Sequence, residues 1–352
     1  MACVSTAAGS LCSGAGSTGG CAAGLYFLYA CKLLQGLAIG GVGTTMYTWF
    51  VEWSPPAYRT RASVGLNTLW SCAAVLVAVL SGVASSLDWR YQTGAWQLLL
   101  LPPIALAYAL VDESPRYLLL VGKHCEALEI LANAAAVNGA KLPSGLRLQT
   151  PALGGEQAGV AEQLKQLLHP SILGQAAVMW LCWFAVTFSY YGLSLSAGNL
   201  SEDVYQNSAL LSLADLPGYL FVAVAADSVL FGRKYTQAGC FLLGGGCLLA
   251  LALFAPSGGA KLALAMLGKV GLAGAFMTVY ILAGEVFPTA IRATGLGSCN
   301  IFARVGGVLA PLTNNISIDA ACALFGSLSV ASGLLTLLVR ETRGEDLRDT
   351  VS

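Results

Sequence analysis

Arg304 sits in the middle of an apolar run, Ala303-Arg304-Val-Gly306-Gly307-Val-Leu-Ala-Pro311. A guanidinium stays charged at any ordinary pH, so at such a position it must face a cavity or a partner. Gly306 and Gly307 let neighbouring backbones come close, and Pro311 lets the helix bend beside the charge. Two readings stand together here: a fixed cation that attracts an organic anion or the carboxylate of a zwitterion, and a structural pair with Asp215 or a helix C-terminus. Three further ionisable groups fall within apolar runs, Lys32, Lys269 and Asp215, the last opening Asp215-Leu-Pro217-Gly218-Tyr219. Their long stems let Lys32 and Lys269 reach an interface as readily as a cavity.

Aromatic residues recur where a cavity would need walls: Trp70, Trp183, Tyr190, Tyr191, Tyr219, Phe276 and Tyr280. Trp183 and Tyr190 are seven apart and Phe276 and Tyr280 four apart, so each pair shares a helical face. Such stripes serve packing as well as ligand contact.

A second set of charges flanks the apolar runs. Asp227, the turn Gly232-Arg233-Lys234, and Glu285 with Arg292 form a candidate ionic cluster, made in one conformation and broken in another or else a static topology signal. Glu285-Val-Phe-Pro288-Thr-Ala290-Ile-Arg292 repeats Glu52-Trp-Ser-Pro55-Pro-Ala57-Tyr-Arg59 at a constant offset. Glu52 and Arg59 thus take the matching places in an earlier half, and Glu113 and Arg116 open the long polar stretch that follows it. The two histidines, His124 and His169, have no Cys, His or Asp cluster around them, no nucleophile and base stand together, and no phosphate-binding loop is present. The expectation is a protein that is not an enzyme and holds no metal and no cofactor.

The elements that must position these groups are membrane spans. Of 352 residues 56% are hydrophobic and only 10% charged, against roughly a quarter in soluble domains. The expected class is an all-α membrane protein, with the lipid bilayer as its surroundings and a neutral net charge that excludes nucleic acid as a partner. Spanning takes about 20 mostly apolar residues, and the runs at 25–51, 64–86, 93–111, 172–194, 206–226, 236–255, 260–284, 294–314 and 319–339 qualify, with a small-residue helix at 2–23 as a tenth. Apart from Lys32, Lys269 and Arg304, every basic residue except Arg90 and Lys261 then falls on one side, which the positive-inside rule makes cytoplasmic. Both termini are expected there, with the plasma membrane as the host membrane. The domain expectation is a partial four-helix half at 1–111, a cytoplasmic loop at 112–171 with an amphipathic helix ending at Asn138-Gly139, a six-helix half at 172–339, and a tail at 340–352.

In combination the motifs resemble the organic-ion branch of the major facilitator superfamily, the solute carriers that include organic anion, organic cation and carnitine transporters. The matching pieces are Glu113-Ser-Pro-Arg-Tyr-Leu-Leu-Leu, Ala135-Ala-Val-Asn-Gly139, Tyr190-Tyr-Gly-Leu193, Asp215-Leu-Pro217, Gly232-Arg-Lys234, Gly268-Lys269, Glu285-Val-Phe-Pro-Thr289 through Arg292, and Ala303-Arg-Val-Gly-Gly307. The resemblance implies a two-half helical bundle of about ten spans here, equivalent to helices three to twelve of twelve. It also implies transport of small organic ions by alternating access. Arg304 matches a basic position of the anion and carnitine branches; Trp183, Tyr190, Tyr191, Phe276 and Tyr280 match aromatic cavity positions, and Trp70 and Tyr47 match cavity-facing positions of the first half. Gly218-Tyr219 departs from the Ala-Lys of the anion transporters and removes a second cavity cation. Lys269 and Tyr219 complete the expected substrate-binding set. An oligomer or partner protein covering the shorter first half belongs to this expectation, and the rival is a non-transporting truncated isoform that acts through interaction or receptor-like binding.

Overall fold

A computed structural model describes residues 26–27, 29–38, 49, 53, 59–99, 101–140, 160–200, 203–254, 258–288 and 291–343. The expected helix at 2–23, Tyr47 and Glu52 lie outside the described residues, as do the side chains of Arg59 and Arg116. Among the described residues the regular structure is helical, with no strand.

The helices are α1 (Arg59–Val83), α2 (Trp89–Leu99), α3 (Leu101–Leu110), α4 (Pro115–Leu120), α5 (His124–Val137), α6 (Val160–Leu167), α7 (Pro170–Leu195), α8 (Val204–Leu213), α9 (Asp215–Ala225), α10 (Gly232–Phe254), α11 (Gly259–Val286), α12 (Arg292–Leu309) and α13 (Ile318–Thr336). Among the described residues six stretches are long and apolar enough to cross a membrane by length and composition: 63–83, 170–198, 204–225, 232–254, 259–286 and 318–336. The chain packs as two compact units, one of Met1–Arg59 with Val83–Gly155, the other of Thr60–Gly82 with Glu156–Ser352.

Local chemistry sets the helix ends. Pro170 at the first turn of α7 lacks the amide that would go unbonded there, and His169 accepts from the Ser171 amide at 3.4 Å. The Asp203 carboxylate caps α8 through the amides of Tyr205 and Gln206 at 2.9 and 3.0 Å. The sequence predicts one span over 206–226, but the structure interrupts it at Ala214, between α8 and α9. Pro217 has no N–H to give the Leu213 carbonyl, and that gap breaks the ladder where Asp215 begins the next helix. As expected, α5 ends at Asn138-Gly139, Gly139 taking φ +66° and donating to the Ala136 carbonyl. Beyond α12 the chain tightens into a 3₁₀ segment, Ala310–Asn315, at Pro311.

The core of the second unit lies between α7, α10, α11, α12 and α13. Small residues bring these helices together, as membrane packing requires. A Cβ at Gly306 would stand 2.7 Å from the Phe184 carbonyl oxygen, so α12 meets the α7 backbone there; Gly307 has ordinary room. Cys182, Cys240 and Cys299 are buried free thiols that fill this packing.

Candidate functional site: a buried charge network, an aromatic wall and a polar clamp

The interrupted span brings an acid to the right place. A Cβ at Gly218 would stand 2.4 Å from the Val270 carbonyl, so α9 lies directly on α11 one residue from Lys269. Asp215, one turn earlier on α9, then faces Lys269 across 4.0 Å, and each side chain is only 2% exposed. The Tyr190 hydroxyl donates to Asp215 Oδ2 at 2.7 Å, and the Ser71 hydroxyl of α1 donates to the same oxygen at 3.3 Å. Lys269 Nζ donates to the Tyr190 carbonyl at 3.3 Å and to the Ser194 hydroxyl, and lies 3.0 Å from the centroid of the Tyr190 ring. Tyr190 is therefore the wedge of the network: its hydroxyl serves the acid and its face serves the ammonium. Asp215 also lies in the first turn of α9, where the helix dipole favours a carboxylate.

This arrangement bears on the two readings of Arg304. Its candidate partner, Asp215, is held by Lys269, Tyr190 and Ser71, while Arg304 is exposed and within electrostatic reach of Tyr191. Lys269, expected to contact substrate, is buried among protein groups, and Tyr219, 3% exposed, packs beside Ser71 and Tyr190. Lys32 is exposed and donates to Gln35 at 3.2 Å.

The aromatic residues of α7 and α11 come together as their spacing predicts. Trp183 and Tyr280 have ring centroids 4.3 Å apart, Tyr190 and Phe276 5.2 Å, Phe276 and Tyr280 5.9 Å, and Tyr191 and Phe276 6.3 Å. Trp183 Nε1 and the Thr187 hydroxyl, four residues apart on α7, are buried without a hydrogen-bond partner. Thr187 was not legible as a site residue, because a hydroxyl in an apolar run gives no signal of its own. Trp70 on α1 stands 62% exposed, with no ring contact to this wall among the described contacts.

At the helix ends the structure assembles part of the expected ionic cluster and adds to it. Arg233 Nε lies 3.1 Å from both Glu285 oxygens, and its Nη1 reaches Asp227 and the Ala226 carbonyl. Arg292 donates to the Phe287 carbonyl at 3.3 Å, and the Lys234 ammonium lies 5.5 Å from the Tyr235 ring centroid. The segment after α13 locks onto this cluster, a contribution that sequence reasoning missed. Glu341 accepts from the backbone amides of Arg233, Lys234, Thr342 and Arg343 at 2.9 to 3.1 Å, Thr342 donates to Glu285, and Arg343 Nε donates to the Asp227 carbonyl at 3.0 Å. A carboxylate at the α10 N-terminus meets both free amides and the positive end of the dipole.

Gly232 makes that clamp fit. Its φ is +66°, and a Cβ would stand 2.6 Å from Glu341 Oε2. Gly232→Ala should therefore lower stability by about 2–3 kcal/mol, combining the left-handed backbone cost with loss of the carboxylate cap. Thermal unfolding in detergent micelles reads it, and an unchanged midpoint would count against the clamp.

The model of the Major Facilitator Superfamily matches residues 4–311. The chain belongs to the major facilitator superfamily. Among the relatives of this superfamily member are human solute carrier family 22 member 13, 32% identical over 92% of the chain and 58% of the relative, and organic anion transporter 3 of Rattus norvegicus, 31% identical over 96% and 64%. An organic cation transporter protein of Drosophila melanogaster is 31% identical over 93% of the chain and 61% of its own length. The superfamily member thus spans about three-fifths of the length of these relatives. The solved proton:xylose symporter XylE, bound to 6-bromo-6-deoxy-D-glucose, matches 93% of the chain and 74% of its own at 18% identity with a TM-score of 0.69, a likeness of fold. These relatives are transporters rather than enzymes.

Proposed function

We propose that the chain moves small organic ions across the membrane by alternating access, with a preference for anions or zwitterions. The observation that carries the preference is the contrast between two charges of the apolar runs: Asp215 is buried and paired with Lys269, while Arg304 is exposed beside Tyr191 on the helix that Gly306 seats against α7. A guanidinium with no competing acid among the described residues binds a carboxylate in bidentate fashion. Trp183, Tyr191, Phe276 and Tyr280 supply the wall against which the apolar part of such an ion packs. In the same reading the Asp227–Arg233–Glu285 cluster and both termini face the cytoplasm at the plasma membrane, and the cluster breaks and reforms as access alternates.

The test is uptake into proteoliposomes of three labelled probes: benzoate, tetraethylammonium and glycine betaine. Arg304→Ala should lower benzoate uptake about tenfold or more and spare tetraethylammonium, since a charge-assisted hydrogen bond contributes about 1.5–3 kcal/mol. Equal loss for all three would reduce Arg304 to a structural role. Failure of the unsubstituted chain to move any of them would favour the interaction-type reading over transport.

A further inference from the structure

The first compact unit holds a cavity of about 500 Å³ that the transport reading does not use. Trp49 and Trp53 form one wall, four residues apart and so on one helical face, with ring centroids 6.0 Å apart and planes inclined at 48°. Asp112, Asn133 and the last turn of α5 also line it. The volume falls in the roughly 300–1,000 Å³ range of small-molecule sites.

The net charge of the described lining is negative. Asp112 is the only charged group among the described lining residues. The C-terminal turn of α5 lines it through Asn133, Ala134 and Val137, and the C-terminal end of α3 lines it through Leu110, so two helices present the negative ends of their dipoles. Indole faces are the strongest aromatic partners of a cation. The Trp49 N–H is already bonded to the Asp112 carbonyl at 2.9 Å, which fixes one ring, whereas the Trp53 N–H is buried with no acceptor.

We propose that this cavity binds a quaternary ammonium group carrying a nearby oxygen, as in choline. The cation lies between the two indoles and Asp112, and its oxygen accepts from the Trp53 N–H. A tri-methylated ammonium suits the site better than a primary one, because the indole walls offer faces rather than hydrogen-bond acceptors. The same chemistry is found in free choline and in a phosphatidylcholine headgroup.

Equilibrium binding of labelled choline to the full chain in phosphatidylglycerol nanodiscs tests this. Saturable binding is expected, with affinity about tenfold weaker in both Trp53→Leu and Asp112→Asn and within about threefold in Trp53→Phe, which keeps a ring face. The neutral isostere 3,3-dimethylbutanol should compete about tenfold less well than choline. In phosphatidylcholine nanodiscs, loss of free choline binding identifies the lipid headgroup as occupant, and retention identifies the free solute; both support the site. Absence of saturable binding, equal competition by the neutral isostere, or a Trp53→Phe variant as weak as Trp53→Leu would overturn it.

Discussion

Lys269→Met should destabilise the protein by about 3–5 kcal/mol, the cost of stranding a buried charge by removing its partner. Asp215 would remain 2% exposed with the Tyr190 and Ser71 hydroxyls as its hydrogen-bond donors and no cation within the network. Asp215→Leu should cost a similar amount, because the ammonium would keep only Ser194, the Tyr190 carbonyl and the Tyr190 ring. The informative variant is the double one. Replacing a buried ion pair by apolar residues is often neutral or stabilising, so Asp215→Leu with Lys269→Met should recover most of the loss of either single change. Thermal unfolding in micelles, measured on all four proteins, gives the coupling directly. If the double variant were as unstable as the sum of the singles, the hydroxyls rather than charge neutralisation would hold α7, α9 and α11 together.

That outcome bears on selectivity. An Asp215 freed of Lys269 would offer an acid to an incoming cation, in competition with the attraction proposed for Arg304 toward an anion. If Lys269 positions Asp215 in this way, a single Lys269→Met protein that still folds should shift uptake toward tetraethylammonium relative to benzoate. A structural role alone would lower both probes together.

Much of this architecture was legible because apolar runs are long and their interruptions are few. Five candidate spans among the described residues, 170–198, 204–225, 232–254, 259–286 and 318–336, overlap expected runs of the second half, and the Asn138-Gly139 stop and the Asp227–Arg233–Glu285 grouping were both readable, one from turn chemistry and one from charges at the ends of successive runs. Pairing inside the membrane was not readable. Whether Asp215 faces Lys269 or Arg304 depends on how α9 is rotated, and that rotation is set by the Pro217 gap together with the close seat of Gly218 on Val270. Ser71 and Ser194 are indistinguishable from packing hydroxyls until their neighbours are known. Glu341 gave no sign either, because a polar residue after the last span looks like any solvated tail. The Trp49 and Trp53 spacing was a signal that could have been taken up, since four residues place two indoles on one face.

Packing at glycine is the other place where a single atom decides stability. Gly271 of α11 lies against α10 so closely that a Cβ would stand 2.4 Å from the Gly244 nitrogen and 2.7 Å from the Cys240 carbonyl oxygen. Both obstacles are backbone, and they cannot rotate away as a side-chain tip would. The reciprocal contact is also tight, with a Gly244 Cβ 3.1 Å from the Gly268 carbonyl and the Leu272 amide nitrogen, so the seam cannot open at one residue alone. Gly271→Val should therefore cost about 3 kcal/mol, at the upper end of ordinary overpacking, because α10 and α11 must separate along several turns. Gly246, on the same helix as Gly244, has nothing within 4 Å of its Cβ position. Gly246→Ala should raise stability by about 0.5–1 kcal/mol through helix propensity alone. Unfolding midpoints in micelles for the two variants should move in opposite directions. Because Lys269 lies two residues before Gly271, Gly271→Val should also weaken the Asp215–Lys269 coupling in the double-mutant comparison. A coupling that survived intact would mean that Gly218, and not the α10 seam, holds α11 in register with α9.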